Sequence, residues 1–410
     1  MKNRNPYKVY LFLTFAVGFL IATGFGLSYY ETVTAGFSAL QLMASGAAMV
    51  LSRMLFEIPT GVVADLYSRR LSILVGFALI GLAMFVEGMF PLFVPILLAQ
   101  IVWGLGYTFT SGATEAWLSG EIGEAPANRA FLTAKRYDLY GNLVGILVGM
   151  FLGSFTSAKL LILASAMGWF ILAVLLAFLM PEKGFRPVRP EKRSTLQQMG
   201  DIFREGLRNV RRRPSLLAVL GVTLFFSLTF GLDRLWTWHL VHNFNLPIPF
   251  GNNTLGFFGL LDLGGILLSI LLAHLVEKRF RVLNPQRVRR LIFLITAVTA
   301  ASIAAFGWVP CLWMAVILFL VIYSLAEVSD PLLLAWMNQR LEPDVRATII
   351  SMVGQAESIG QAMGSLLVGL LANLFTLPLA LLAVSGLLVP ALAFIRWTER
   401  DCTALLEGEQ

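Results

Sequence analysis

Charge, cysteine and histidine are scarce in this sequence, and each scarcity removes a class of function. Asp, Glu, Lys and Arg together make up 13% of the 410 residues, against about a quarter in a soluble domain. The two cysteines, Cys311 and Cys402, cannot build a disulfide framework, and no CxxC or Cys/His spacing suggests zinc. Three histidines, His239, His242 and His274, leave too few ligands for most metal constellations, so no metal is expected. There is no GxxxxGK[ST] phosphate loop and no nucleophile motif, which argues against an enzyme, a cofactor or a built-in ATP motor. What is present is apolar: 57% hydrophobic residues and a mean hydropathy of +0.77. That is the composition of a membrane protein.

A helix needs about 20 apolar residues to cross the hydrocarbon core. Runs of that kind fall at 8–30, 36–62, 71–90, 92–119, 131–155 and 158–180, then at 215–243, 253–276, 290–308, 310–337, 347–373 and 377–398. The first has a basic start like a signal peptide, but it is longer than the ~7–15 residues of a signal core, and it reads as a retained span. The expectation is an all-α membrane protein with twelve transmembrane helices.

Cytoplasmic loops retain Lys and Arg. Lys2, Arg4 and Lys8 begin the chain, Arg69 and Arg70 follow the second span, and Arg129 follows the fourth. Segment 181–214 holds ten cations, among them Arg211, Arg212 and Arg213. Lys278, Arg279 and Arg281 follow the eighth span, Arg340 and Arg346 the tenth, and Arg396 and Arg400 the last. All of these lie on one side if the count is even, and the other side has one clear cation, Lys159. Both termini are therefore expected in the cytoplasm, in a plasma (inner) membrane protein. The same distribution accounts for the net charge of +7 without nucleic acid.

Segment 181–214 divides the chain into a six-helix bundle at 1–180 and a second at 215–410 with a short tail. The segment reads as a basic linker, solvated or lying on the membrane surface. The halves echo one another: "NRAFLTA" at 128–134 and "VRATIIS" at 345–351 open the fifth and eleventh spans, "SGATEAW" precedes the first as "AEVSDPLLLAW" precedes the second, and "GVVAD" ending at Asp65 matches "AHLVE" ending at Glu277. Three matches in the same order suggest two six-helix pseudo-repeats.

Between the second and third spans lies Gly61-x-x-x-Asp65-x-x-x-Arg69-Arg70. This resembles the loop signature of the major facilitator superfamily (MFS), with Leu66 and Ser68 in place of its second basic residue and inner glycine. With the six-plus-six layout the resemblance covers essentially the whole chain and implies the MFS fold. Gly61 is expected to permit close helix approach. The resemblance implies that Asp65 contacts the start of the eleventh span and latches the halves together when the site faces outward. The plainer alternative leaves Arg69 and Arg70 as topology determinants alone. Drug antiporters of the family carry a Gly-Pro signature in the fifth span and an arginine in the fourth. Here the fifth span has the ladder Gly141, Gly145, Gly149 and Gly153 for helix packing, without the proline, and Gln100 stands where the arginine would be.

Ionisable residues inside spans are functional candidates by default. Arg53 and Glu57 are four apart and are expected to pair on one helix face. Glu115, Lys135, Arg136 and Asp138 lie near the cytoplasmic ends of the fourth and fifth spans, where gating or structural roles are expected. Glu357, Asp262, Asp330 and Glu327 are the proton-coupling candidates, because a deep carboxylate without a fixed cation can exchange a proton. Phe230, Asp233, Arg234 and Gln361 are the substrate-cavity candidates, while Trp238 and His239 read as an interfacial aromatic belt.

These readings converge on a monomeric secondary carrier of small molecules working by alternating access in a lipid bilayer, exporting amphipathic compounds in exchange for protons. The alternatives are an uptake facilitator or symporter for a metabolite and, in another class, a non-transporting receptor or scaffold with the carrier fold. The topology is directly testable: reporters fused at either end should read cytoplasmic, with fluorescent protein bright and alkaline phosphatase inactive. Ends on opposite faces would refute the even count.

Overall fold

Hydrocarbon offers the backbone no hydrogen-bond partner, so each crossing segment has to satisfy its own N–H and C=O groups. The computed structural model of the protein describes residues 5–187, 214–229, 232–249, 251–279, 285–338 and 343–407, and among them it contains helices and no strand. The first seven helices are α1 (Pro6–Thr23), α2 (Ala39–Leu66), α3 (Arg69–Met89), α4 (Phe93–Thr110), α5 (Ala113–Ile122), α6 (Glu124–Phe155) and α7 (Ala158–Leu179). The rest are α8 (Pro214–Ser227), α9 (Leu232–Asn243), α10 (Leu255–Arg279), α11 (Pro285–Phe306), α12 (Leu312–Asn338), α13 (Pro343–Leu374) and α14 (Leu377–Glu407).

Among the described residues, ten helical stretches are long and apolar enough to cross a membrane. One is α1 continued through a 3-10 turn and a wide π turn to Thr34, and another joins α4 to α5. The bend between α4 and α5 falls at Gly112, whose φ of +70° is open to glycine at little cost. Two further helical runs stand where the seventh and eleventh spans are expected: α8 with α9, and α13. The basic segment from 188 to 213 lies outside the described residues.

Local chemistry sets the helix ends. Asn5 caps α1, accepting from the Tyr7 amide at 3.0 Å, with Pro6 at the first helical position. Ser38 and Gln41 form a reciprocal capping box ahead of α2. Ser68 caps α3 and Ser157 caps α7 through their hydroxyls. Each such cap contributes about 1 kcal/mol.

The described chain forms two compact units. Unit 1 comprises Met1–Phe37, Ala48–Thr195 and Leu246–Leu263, and unit 2 comprises Ser38–Ala47, Leu196–Asn245 and Gly264–Gln410. In unit 1, α1 packs along α6, and α3 packs on both α4 and α7. The α1–α6 seam brings backbones together. A Cβ on Gly141 would overlap the Phe15 carbonyl oxygen, one on Gly145 the Phe19 carbonyl oxygen, and one on Gly149 would lie 3.0 Å from Thr23 O. Gly153 meets Leu161 and Leu255 instead. In unit 2, α11 packs on α12 and α14, and α8 on α13 and α14, around Val222, Val288, Ile292, Ile295, Val328 and Ile395. Leu55, Leu132, Phe178 and Trp313 are more than half exposed, as side chains solvated by acyl chains should be.

Gly61 departs from expectation. Among the described residues nothing lies within 4 Å of where its Cβ would be, so no helix is packed against it here. This contrast yields a measurement. Gly145→Val should drive α1 from α6 and cost about 1–3 kcal/mol, lowering the unfolding midpoint in detergent. Gly61→Ala should leave it unchanged or raise it, since alanine gains about 1 kcal/mol in a helix. Equal destabilisation by both would refute the packing described for the two positions.

Candidate functional site

The polar knot between α2 and α3 is built from one turn and three neighbouring segments. Asp65 Oδ1 accepts from Arg69 Nε at 3.2 Å and from Arg69 Nη2 at 2.9 Å. Arg69 Nη1 also donates to the Ala116 carbonyl of α5 at 2.9 Å. Ser68 Oγ donates to the Glu182 carboxylate at 2.8–2.9 Å, and the Arg70 amide donates to the same carboxylate at 3.0 Å. The Arg70 guanidinium reaches the Ala177 carbonyl near the end of α7. Glu182 thus sits at the N-terminus of α3, where the helix dipole favours an anion. Just beyond it, the Lys183 and Gly184 amides donate to Glu121 at 2.6 Å, and Trp117 Nε1 donates to Pro181 O at 2.7 Å. The first residues after α7 are therefore strapped to α3 and α5. Glu182 and Glu121 escaped the sequence reading. The signal available was an acidic residue directly after a span and before the basic segment. Asp65 is paired within its own loop, and the side chains at 343–351 lie outside the described residues.

Deeper in the spans, the expected Arg53–Glu57 pair does not form. Glu57 is exposed, and the Arg53 guanidinium carbon instead lies 4.2 Å from the centre of the Tyr107 ring. Tyr107 is stacked on Trp103, with centroids 5.9 Å apart and planes 12° from parallel. The aromatic face supplied by α4 replaces the carboxylate one turn away on α2.

Asp262 is half-buried in α10 and makes no hydrogen bond or ion pair among the described residues. In α13, Gln361 is buried and its amide donates to Glu357 Oε1 at 3.1 Å. Glu327 is exposed on α12, and the side chains of Asp330 and Asp233 lie outside the described residues, as does Phe230 altogether. Arg234 donates to Ser45 Oγ at 3.0 Å, and its guanidinium lies against Gly46 of α2. His239 is buried against Phe306 and Phe244, which corrects its placement in an interfacial belt, while Trp238 stacks on His242. Around the junction of α5 and α6, Lys135 pairs with Asp138 at 3.1 Å, Glu115 accepts from Thr114 at 2.8 Å, and Arg136 is exposed.

Two fully buried carboxylates were not among the expected residues. Glu87, near the end of α3, accepts from Gln100 Nε2 at 2.5 Å, and both side chains are buried. Glu31 is buried in the wide turn that ends the first span, beside Tyr30, whose hydroxyl donates to Gly88 O at 3.2 Å. Each is an acid inside an apolar run, and that is the pattern by which the sequence could have singled it out.

The arrangement is that of a helical membrane protein with scattered ionisable groups in its spans and a braced polar loop at one end. Comparison with known proteins agrees. An uncharacterized MFS-type transporter, YxaM of Bacillus subtilis (strain 168), is 22% identical over 379 residues, covering 88% of each chain. The crystal structure of the nucleoside transporter NupG superposes with a TM-score of 0.77 at 15% identity, covering 96% of this chain and 98% of that one. A bacterial homolog of the human lysosomal transporter Spinster gives 0.74 at 15% identity, covering 97% and 98%. The sequence pattern of the Major Facilitator Superfamily matches residues 9–326, and with more than half of its length matched the chain belongs to that family.

Proposed function

We propose that this MFS-type membrane transporter is a proton-linked secondary carrier that exports small amphipathic molecules by alternating access. The observation that carries the reading is Asp262. It lies about 10 Å along α10 from Leu255 at 1.5 Å per residue, with no cation or hydrogen-bond donor on it among the described residues. A carboxylate so placed is a group on which a proton can be bound and released as its surroundings change. Glu357, which accepts from the Gln361 amide inside α13, is a second deep carboxylate. A scaffold that moved nothing would have no use for either.

A second reading, uptake of a metabolite, draws on the nucleoside and peptide transporters among the similar folds. At 14–15% identity those likenesses carry the fold rather than the cargo. Direction is decided by cells. Producing cells should accumulate less of at least one compound in a panel of cationic, neutral and anionic amphipathic molecules. Greater accumulation would replace export with uptake.

In proteoliposomes, an imposed pH gradient should accelerate movement of that compound, and Asp262→Asn should lose the acceleration, a fall of about tenfold or more, while retaining substrate exchange without a gradient. A gradient response unchanged by Asp262→Asn would remove Asp262 from the coupling path, and indifference of the unaltered protein would remove proton linkage.

The loop makes a separate prediction. Asp65→Asn takes the charge from the half-exposed Arg69 pair, worth about 0.3–1 kcal/mol, and should slow turnover about two- to fivefold with binding unchanged. Normal turnover would leave Arg69 and Arg70 as topology determinants alone.

A further inference from the structure

We propose that Arg53 and Tyr107 form a binding subsite for the oxyanion of an amphipathic organic anion, a carboxylate or phosphate attached to an apolar body. Arg53 falls at the middle of α2, Ala39–Leu66, and Tyr107 at the middle of the span Phe93–Ile122. Both are thus near mid-depth, where carriers of this kind bind their cargo. Met49, Arg53, Glu57 and Thr60 recur at helical spacing on one face of α2. The exposed Leu51 and Leu55 lie on the opposite face, so the guanidinium points away from the acyl chains.

The position is held from both sides. Ser52 Oγ donates to the Ile101 carbonyl at 2.7 Å. A Cβ on Gly104 would meet Ser52 Cβ at 2.8 Å, so α2 and α4 run in backbone contact beside the site. Trp103, Gly104 and Tyr107 share a face of α4, which places the stacked rings beneath Arg53.

An arginine stays charged at any physiological pH, and charge within a membrane calls for a partner. The Tyr107 ring, an acceptor of charge but not of directed hydrogen bonds, contributes about 0.5–2 kcal/mol. The guanidinium N–H donors make no hydrogen bond or ion pair among the described residues, and Glu57 stands exposed one turn away without reaching them. A planar fork of unused donors at mid-depth, set on a half-buried aromatic platform, matches a bidentate oxyanion with a hydrophobic body. The inference deepens the carrier reading by naming its cargo class and rests on that reading for what becomes of the bound anion.

The test uses the purified full-length protein in a neutral detergent with three probes: 4-phenylbutyrate, its uncharged amide, and phosphatidylglycerol. Isothermal titration should show the carboxylate binding about tenfold or more tighter than the amide, the difference a charge-assisted hydrogen bond makes. Arg53→Gln should erase that preference. Arg53→Lys, which keeps the charge without the fork, should bind the carboxylate several-fold more weakly than the unaltered protein and the amide equally, so the result stands even if the glutamine variant fails to fold. Competition by phosphatidylglycerol that depends on Arg53 would make a lipid headgroup the source of the oxyanion. Its absence, with phenylbutyrate bound, would make the source a soluble anion, and both outcomes support the subsite. Equal affinity for carboxylate and amide, or an unchanged preference in Arg53→Gln, overturns it. A protein that binds the carboxylate yet moves no compound overturns the carrier reading and leaves the subsite. Transport of neutral or cationic compounds without anion preference does the reverse.

Discussion

The structure is governed by the cost of placing charge where water is scarce. Each ionisable group in a span needs a partner or a use, and the described residues supply several distinct kinds. At the polar end of unit 1, Asp65 pairs with Arg69, and Glu182 accepts from the amide and hydroxyl at the start of α3. Further in, neutral groups also serve as partners. Glu87 has the Gln100 amide, Glu357 has the Gln361 amide, Arg234 has the Ser45 hydroxyl, and Arg53 has the Tyr107 ring. Asp262 has none among the described residues. Ionic, hydrogen-bonding and aromatic partners thus all occur among the described residues, each matched to the group it meets.

Stiffness is distributed by the same logic of close approach. Along α1 and α6 the glycines remove side chains so that main-chain atoms touch, and a touching seam has little freedom to slide. Ser165 reinforces unit 1 by donating to the Leu20 carbonyl at 3.1 Å, tying α7 to α1. The strap of Pro181, Glu182 and Gly184 fixes the start of the connecting segment to α3 and α5. A pull on that segment therefore reaches the end of the unit rather than unravelling α7. Gly61, with no described residue within 4 Å of its Cβ position, belongs to a different class of position. Among the described residues it leaves room on the last third of α2 where the seam glycines leave none.

Most of the architecture was legible in the sequence because hydropathy over twenty residues averages out local detail. The runs at 71–90 and 158–180 fall within a few residues of α3 and α7. The seventh and eleventh spans are less uniform: α9 carries Asp233, Arg234 and two histidines, and α13 carries Glu357 with two nearby glutamines. Polar content of that order dilutes the apolar signal without stopping the helix. Pairing was less legible. Arg53 and Glu57 have the spacing of a helical ion pair, yet spacing on one helix says nothing of a ring brought in by another. Glu87 was overlooked because it lies near the end of its run, and its partner Gln100 drew notice only as a missing arginine. Sequence periodicity reports which face a residue occupies, and the identity of the facing residue is set by tertiary packing.

The chemistry of the two carboxylate–amide pairs bears on how a proton could be handled. A guanidinium has donors only, so it serves an ionised carboxylate and is left wanting by a protonated one. A glutamine amide carries both a donor and an acceptor, and a small rotation lets it serve either form. Glu357 and Glu87 are each held by such an amide, whereas Asp65 is held by an arginine. A carboxylate that must remain charged to keep a loop closed is well matched to the arginine. One that must change its protonation without rebuilding its surroundings is better matched to the amide. The contrast between the Asp65–Arg69 pair and the Glu357–Gln361 and Glu87–Gln100 contacts is thus one of hydrogen-bonding capacity, donors alone against donor and acceptor together.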